Sequence, residues 1–275
     1  MNDRGKDIPN GLLAYVPEVT YKKLTRVPPE KWSKPSFQPL PDGSGEDRFG
    51  NRIHYSPDFA YLDRNNNIVR AGLLLSPDGQ ELVRSMPGCL TQLDRAIKKV
   101  SEVGHHEVEF RHGTLSDTSK SGDQSRIYIW KTPNGEKYVI KVPTVDVLDV
   151  LPSSRVDQPY IDEMLQTQEV QLALNPLLEE MNVRLSTFLF ASSSVSCTKF
   201  EKGEHPDDWN DDQHKRFVSV VNGVRSYISK RRHSDDGLFY KVIADAGDGE
   251  KLSHPNDNVL IDASGAIVWI DPFIT

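Results

Sequence analysis

The residues with the clearest capacity for chemistry lie near the end of the chain. Asn258 precedes the apolar run Val259-Leu260-Ile261, and Asp271 follows the run Ala266-Ile267-Val268-Trp269-Ile270, with Ala263-Ser264-Gly265 between them. Two short apolar runs around a Ser-Gly turn predict a β-hairpin, and closing it brings Asn258 and Asp271 to the same end. An amide oxygen and a carboxylate gathered there suit Mg²⁺, which takes one or two protein oxygens and completes its shell from water and phosphate. The plain alternative is that both residues cap strand ends, where Asn and Asp are common.

A second group forms around Lys141. Arg126-Ile127-Tyr128-Ile129-Trp130-Lys131 and Lys137-Tyr138-Val139-Ile140-Lys141-Val142 flank Thr132-Pro133-Asn134-Gly135, and Asn-Gly between β-rich runs is a strong hairpin signal. The two-residue period puts Lys141 and Val139 on one face and Tyr138, Ile140 and Val142 on the other. A strand lysine beside a small apolar residue can meet a phosphate while that neighbour packs on a nucleotide base. The alternative is an edge-strand lysine pointing to water.

These groups need elements to position them. After Lys141 a helix is predicted from about Tyr160 to Leu174, with Ile161, Leu165 and Leu172 on one face, Glu169 between the last two and Glu163 elsewhere on the wheel. Pro176 should kink or end it, with Leu177 to Met181 continuing for a further turn or two. Arg184 to Phe190 and Ser194 to Phe200 read as a strand pair closing on Glu201-Lys202-Gly203. Trp209 to Arg232 reads as an amphipathic helix.

Upstream, the prolines of Met1 to Pro41 argue against regular structure, so residues 1–44 are expected to form an extended arm. Residues 45–104 read as a small α+β unit, with β-like runs at Phe59 to Leu62 and Ile68 to Leu75. A helix carrying Leu90, Leu93, Ile97, Val100 and Val103 follows. Residues 105–275 make the domain that holds Lys141, Asn258 and Asp271.

The bulk properties narrow the function classes. At 275 residues with a formal net charge of −7, the chain can bury a sizeable core but lacks the basic surface that nucleic-acid binding needs. Its two cysteines, Cys89 and Cys197, are too few for a disulfide framework and lack metal-ligand spacing, which fits a reducing compartment. No run approaches membrane-spanning length and the N-terminus has no signal-like apolar stretch. The expectation is a cytoplasmic protein, delivered into a host cytosol if it is an effector.

Taken in order, a hairpin with Lys141, a helix with Glu169, a strand pair ending in Gly203, a long helix and a hairpin flanked by Asn258 and Asp271 resemble the protein-kinase-like superfamily. Tyr138-Val139-Ile140-Lys141 resembles the kinase V-A-I-K strand, and Phe200-Glu201-Lys202-Gly203 falls where the hinge between lobes would be. Ile270-Asp271-Pro272-Phe273 occupies the D-F-G position. The run Pro255-x-x-Asn258-Val259-Leu260-Ile261-Asp262 is closest to compact microbial kinases of the aminoglycoside, effector or phage type. The resemblance covers Glu107 to Thr275. It implies an α+β, two-lobed fold with an antiparallel N-lobe sheet (105–203) and a reduced C-lobe (204–275), behind the small N-terminal unit.

It also implies roles. ATP would be held by Lys141 on its phosphates and Val139 on its base, with Glu169, or else Glu163, orienting Lys141. Mg²⁺ would be held by Asn258 and Asp271. The stretch Arg111 to Asp117 has no G-x-G-x-x-G pattern, so Gly113 and Ser116, with nearby hydroxyls and amides, would cover the phosphates. The position of the catalytic aspartate is Ser253, leaving Asp257, His254, Asp248 and Asp245 as open alternatives. Four residues follow Asp271, so substrate docking is expected from residues 1–104, from 204–250 or from a partner chain. The implied activity is phosphoryl transfer to a protein. A catalytically inactive protein-binding module and transfer of a group other than phosphate stand beside it.

Overall fold

The computed structural model describes residues 38–39, 44–62, 68–103, 106–121, 125–143, 159–192, 195–231, 247–248, 251–255 and 258–270. In chain order the elements are β1 (Gln38–Pro39), β2 (Gly45–Glu46), β3 (Arg52–Leu62), β4 (Ile68–Leu75), α1 (Pro77–Ser85), α2 (Cys89–Val103), β5 (Glu107–Phe110), β6 (Gly113–Ser121), β7 (Ser125–Lys131) and β8 (Lys137–Pro143). They continue with α3 (Pro159–Glu180), β9 (Val183–Leu185), β10 (Phe188–Ser192), β11 (Ser196–Lys199), a 3₁₀ turn (Pro206–Asp208), α4 (Asp211–Arg231), β12 (Gly247–Asp248), β13 (Lys251–Pro255), β14 (Val259–Ile261) and β15 (Ile267–Trp269). The described residues fall into two compact units, one within Met1–Asp162 and Phe188–Phe200, the other within Glu163–Thr187 and Glu201–Thr275.

The first unit is built on one ten-stranded sheet in the order β1-β2-β3-β4-β10-β11-β8-β7-β6-β5. Strands β5 to β8 form an antiparallel meander. The β7–β8 hairpin closes at Thr132-Pro133-Asn134-Gly135, where Gly135 donates to the Thr132 carbonyl at 2.9 Å. Gly135 has φ +88°, a conformation that costs glycine nothing. Strand β11 pairs with β8, β10 with β11, and β4 with β10.

Residues 44–103, which the sequence sets apart as a small unit, extend that same sheet and share its core. Helix α2 buries Leu90, Leu93, Ile97 and Val100 in one cluster with Leu115, Tyr128, Trp130, Tyr138, Ile140 and Cys197 of the strands. The alternation predicted for β8 explains the contact, since Tyr138, Ile140 and Val142 all face this core. Trp130 stacks on Tyr138 at 5.1 Å between ring centroids, and its indole N–H donates to the His112 carbonyl at 3.0 Å. The expected boundary at residue 104 therefore runs through a single hydrophobic core.

Helix α1 docks on β10 through its first turn. The Ser76 side chain caps the helix by accepting from Gly79 N–H at 3.0 Å, and its hydroxyl donates to the Leu189 carbonyl at 3.2 Å. A Cβ on Gly79 would overlap that carbonyl, so close approach of helix and strand requires glycine here. Strand β3 is longer than its apolar run foretells. Its register with β4 shifts between Tyr55 and Ala60, and Pro57 falls inside the irregularity, where a missing N–H breaks no ladder.

The second unit packs the later part of α3 and the helix α4 against a three-stranded sheet in the order β14-β15-β9. Its core joins Leu174 and Leu178 of α3 and Phe217, Val220, Val221 and Val224 of α4 with Val259, Ile261, Ile267 and Trp269. The amphipathic spacing of α4 is as the sequence predicts, and the helix start has a chemical cause. Asn210 accepts from the N–H groups of Asp212 and Gln213, both at 3.0 Å, while the Gln213 side chain accepts from Asn210 N–H at 2.7 Å.

Three expectations are revised. The run Arg184 to Phe190 breaks at Ser186, and its two parts join different sheets, β9 parallel to β15 and β10 antiparallel to β11. The polar stretch from Arg111 to Gly122 holds only a two-residue turn before strand β6, because Leu115 alone needs to face the core while Ser and Thr fit the other side. Helix α3 passes through Pro176 to Glu180, the continuation expected beyond that proline. Leu172 is 59% exposed, since the buried stripe of α3 rotates from Ile161 and Met164 to Leu174 and Leu178. Among the described residues, no helix is long and apolar enough to cross a membrane.

Candidate functional site

Lys141 is half-buried on the face of β8 away from the α2 core. Its register partners are Ser196 on β11 and Ile127 on β7, and beyond Ser196 lies Ala191 on β10. Val139, one step along the same face, pairs with Thr198 and Ile129. Directly opposed residues in a ladder project to one side, so Lys141, Ser196, Val139 and Thr198 share a patch. Ser196 and Thr198 are 1% and 3% exposed, yet Ser196 Oγ has no hydrogen-bond partner. A buried, unpaired hydroxyl costs about 1–3 kcal/mol, so a polar group arriving beside Lys141 would meet a waiting partner.

Gly113 and Ser116 have local work in β6. Gly113 adopts φ +125°, and a Cβ there would strike the Lys131 carbonyl. Ser116 donates to Glu107 at 2.9 Å across the β5–β6 pair. Both side-chain choices are thus explained within the sheet, and residues 122–124, between β6 and β7, lie outside the described residues. Glu163 and Glu169 both lie on α3, with side chains outside the described set.

In the second unit the closing hairpin forms as predicted. Val259 pairs with Trp269, Leu260 with Val268 and Ile261 with Ile267, and Ile270 N–H donates to the Asn258 carbonyl at 2.8 Å. That bond sets Asn258 beside the residue that precedes Asp271. Asp271 itself and Asp257 lie outside the described residues. Among the described residues, no group of three or more His, Cys, Asp or Glu could hold a metal ion.

The stretch expected to hold the catalytic base is a strand pair. Gly247 pairs with Pro255 and Asp248 with Lys251, which puts Asp248 on β12 and both Ser253 and His254 on β13. Sequence periodicity had marked no strand there.

A network missed from sequence ties β9, the 201–204 linker and the hairpin turn together. Arg184 Nη2 donates to Glu201 at 2.7 Å and to Asp262 at 3.0 Å, and its Nε donates to Asp262 at 3.2 Å. Hydrogen bonding to Glu201 is the main influence raising the Arg184 pKa. Gly203 passes so close to Ile261 that no side chain fits, and Glu204 and Ile261 exchange backbone bonds of 2.8 and 3.0 Å. Arg184, Glu201 and Asp262 are separated by up to 78 positions, so no local pattern could announce them.

Burial pushes the Asp262 carboxyl up, but the Ser264 hydroxyl, the Ala266 and Ser264 N–H groups and Arg184 outweigh it and bring the pKa from 3.8 to about 2. A carboxyl depressed by folding contributes stability that is present above its unfolded pKa and lost as pH falls through the folded value. Stability is therefore expected to decline between about pH 4 and pH 2 in urea titrations, and Asp262→Asn should flatten that window. Equal slopes in both proteins would remove Asp262 from the account.

The chain's likeness to solved structures is remote, at 12–13% identity. No protein-family model and no curated protein matches the chain. Among solved structures it is similar to the Rio2 kinase–ADP/Mg²⁺–phosphoaspartate complex from Chaetomium thermophilum, at 13% identity over 67% of this chain and 53% of that one, with a TM-score of 0.29. It is similar to macrolide 2'-phosphotransferase type I at 12% identity over 66% and 71%, with a TM-score of 0.29. It is also similar to the streptomycin–ATP–APH(2")-IIa ternary complex at 13% identity over 64% and 68%, with a TM-score of 0.24. The chain spans about half the length of the Rio2 kinase structure. Likeness at this level transfers no ligand, substrate or activity.

Proposed function

We propose that the chain is an ATP- and Mg²⁺-dependent, kinase-like phosphotransferase with a protein as its phosphoryl acceptor. The observation that carries this reading is the patch on the face of β8 and β11 away from the α2 core, where Lys141 and Val139 stand opposite the buried hydroxyls of Ser196 and Thr198. The reverse face of the same strands is apolar core, so the polar side is not a consequence of poor packing overall. Lys141 would neutralise the α- and β-phosphates, Val139 would pack on the base, and a carboxylate of α3, Glu169 or else Glu163, would orient the ammonium.

Asn258 and Asp271 would hold the metal, whose contribution when bound is to offset charge on the transferred group. Phosphoryl transfer asks a protein chiefly for positioning and charge stabilisation, which these residue types supply. Asp257, His254 and Asp248 are the candidates for accepting the substrate proton.

A second reading, an inactive nucleotide-binding module that engages a protein partner, is favoured by Ser253 in β13, where the resemblance places a catalytic aspartate. One experiment separates them. Purified protein is incubated with γ-labelled ATP, Mg²⁺ and lysate proteins, and labelled products are weighed by mass spectrometry. Wild-type protein is expected to add phosphate, and Asp271→Ala is expected to lose ~100-fold or more of that transfer. Full transfer by Asp271→Ala would remove the metal assignment. A mass increment other than phosphate identifies a different transferred group, and no increment favours the binding module.

A further inference from the structure

Strand β5 ends the ten-stranded sheet, and no described strand pairs with its outer side. Its register with β6 decides which backbone groups face outward. Asp117 N–H donates to the His106 carbonyl at 2.8 Å, and that pair continues the register in which Glu107 meets Ser116 and Val108 meets Leu115. Hydrogen-bonded and non-hydrogen-bonded pairs alternate along an antiparallel ladder, so Val108 and Phe110 bond to β6 while Glu107 and Glu109 turn their N–H and C=O groups away from it. Those outward groups have no partner among the described residues. The side chains add a pattern. Val108 faces the α2 core with Leu115 and is only partly buried there, as is Phe110, whose ring lies 6.1 Å from that of Trp130. Glu107 and Glu109 project to the opposite face and are exposed. Ser116 donates to Glu107, whereas Glu109 takes part in no ion pair among the described residues.

We infer that the outer edge of β5 docks an extended segment of a protein partner in which lysine or arginine alternates with apolar residues. Added as a further strand, the segment pairs its backbone with Glu107 and Glu109 and sets its basic side chains beside their carboxylates. Its apolar side chains, on the other face, cover the half-exposed Val108 and Phe110. Charge complementarity selects this occupant. A second copy of the chain pairing β5 with β5 would oppose glutamate to glutamate, and like charges directly opposite destabilise a strand pair. An acidic segment is disfavoured in the same way. The glutamates therefore protect the edge from self-pairing and leave it open to a basic segment. This docking goes beyond phosphoryl transfer and does not depend on nucleotide binding.

The probe is an acetylated, amidated hexapeptide of alternating lysine and valine, titrated into the full chain by calorimetry, with its glutamate–valine counterpart as control. Amide hydrogen exchange is followed along β5. In the free chain the Val108 and Phe110 amides are expected to be protected and those of Glu107 and Glu109 unprotected. Saturating lysine–valine peptide should slow exchange at Glu107 and Glu109 by about tenfold or more. Glu109→Pro removes an outward N–H without touching a bond to β6, and should weaken binding about tenfold. Glu109→Lys should weaken it comparably and take up the glutamate–valine peptide instead, a reversal that a purely structural glutamate would not produce. Protection at Val108 and Phe110 reports that a variant keeps β5, and if Glu109→Pro loses it, Glu109→Lys alone decides. Failure of wild type to bind the lysine–valine peptide, equal affinity for both peptides, or wild-type affinity in the variants would overturn the inference. Binding that leaves Glu107 and Glu109 unprotected would do the same, as would protection of those amides in the free chain, since the chain itself would then cover the edge.

Discussion

Lys141→Ala is expected to lower phosphoryl transfer by about two to three orders of magnitude while leaving the first unit folded. The magnitude follows from the role. A single ammonium placed against developing phosphate charge in a partly desolvated patch contributes far more than a surface ion pair, because the screening by water is reduced. The intact fold follows from position. Lys141 is half-buried on the face of β8 opposite the α2 core, and the residues that hold the strand, Tyr138, Ile140 and Val142, all point the other way. The denaturation midpoint should accordingly stay within about 1 kcal/mol of wild type. Transfer assays and urea titrations on the same preparation check both halves. Activity and stability falling together would mean that Lys141 supports the sheet and does not serve a phosphate.

The second large effect concerns the sheet itself. Gly79→Ala is expected to destabilise the first unit by about 3 kcal/mol, since the new methyl meets the Leu189 backbone carbonyl, which has no rotamer to yield. The gain of roughly 1 kcal/mol in helix propensity works against this and is outweighed. The consequence reaches beyond α1. Because residues 44–103 share one core with β6 to β8, prying α1 from β10 should weaken hydrogen-exchange protection at the amides of β7 and β8. Unchanged protection there would show that the N-terminal residues fold as an independent unit, against the continuous sheet described here.

Much of this architecture was legible in the amino-acid order, and the exceptions have physical causes. The 3.6-residue spacing of Leu90, Leu93, Ile97 and Val100, the alternation in β8 and the turn at Asn134-Gly135 are local signals, and each corresponds to an element with the predicted buried face. The closing hairpin was equally plain, its ends joined by the Ile270–Asn258 backbone bond. Strand β6 was hidden because only one of its faces is apolar and Leu115 alone marks it. The break at Ser186 was hidden because both halves of an apolar run are buried, and periodicity does not say in which sheet. Gly113 illustrates a further ambiguity, since a glycine that suits a phosphate loop serves equally where a backbone carbonyl passes too close for a side chain.

The candidate site was legible only in part for a related reason. Lys141 and Val139 announced themselves by alternation, but Ser196 and Thr198 gained meaning only once β11 was registered against β8. The same holds for Arg184, Glu201 and Asp262, whose side chains meet across long sequence separations. Pairing between distant strands is set by the whole core, and a single sequence does not display it.

The most direct test of the central claim is calorimetric titration of the full chain with ATP in the presence and absence of Mg²⁺. Saturable binding that strengthens with Mg²⁺ and is lost or greatly weakened in Lys141→Ala is the expected result. Absence of binding under both conditions, or binding indifferent to Mg²⁺ and to Lys141, would contradict it.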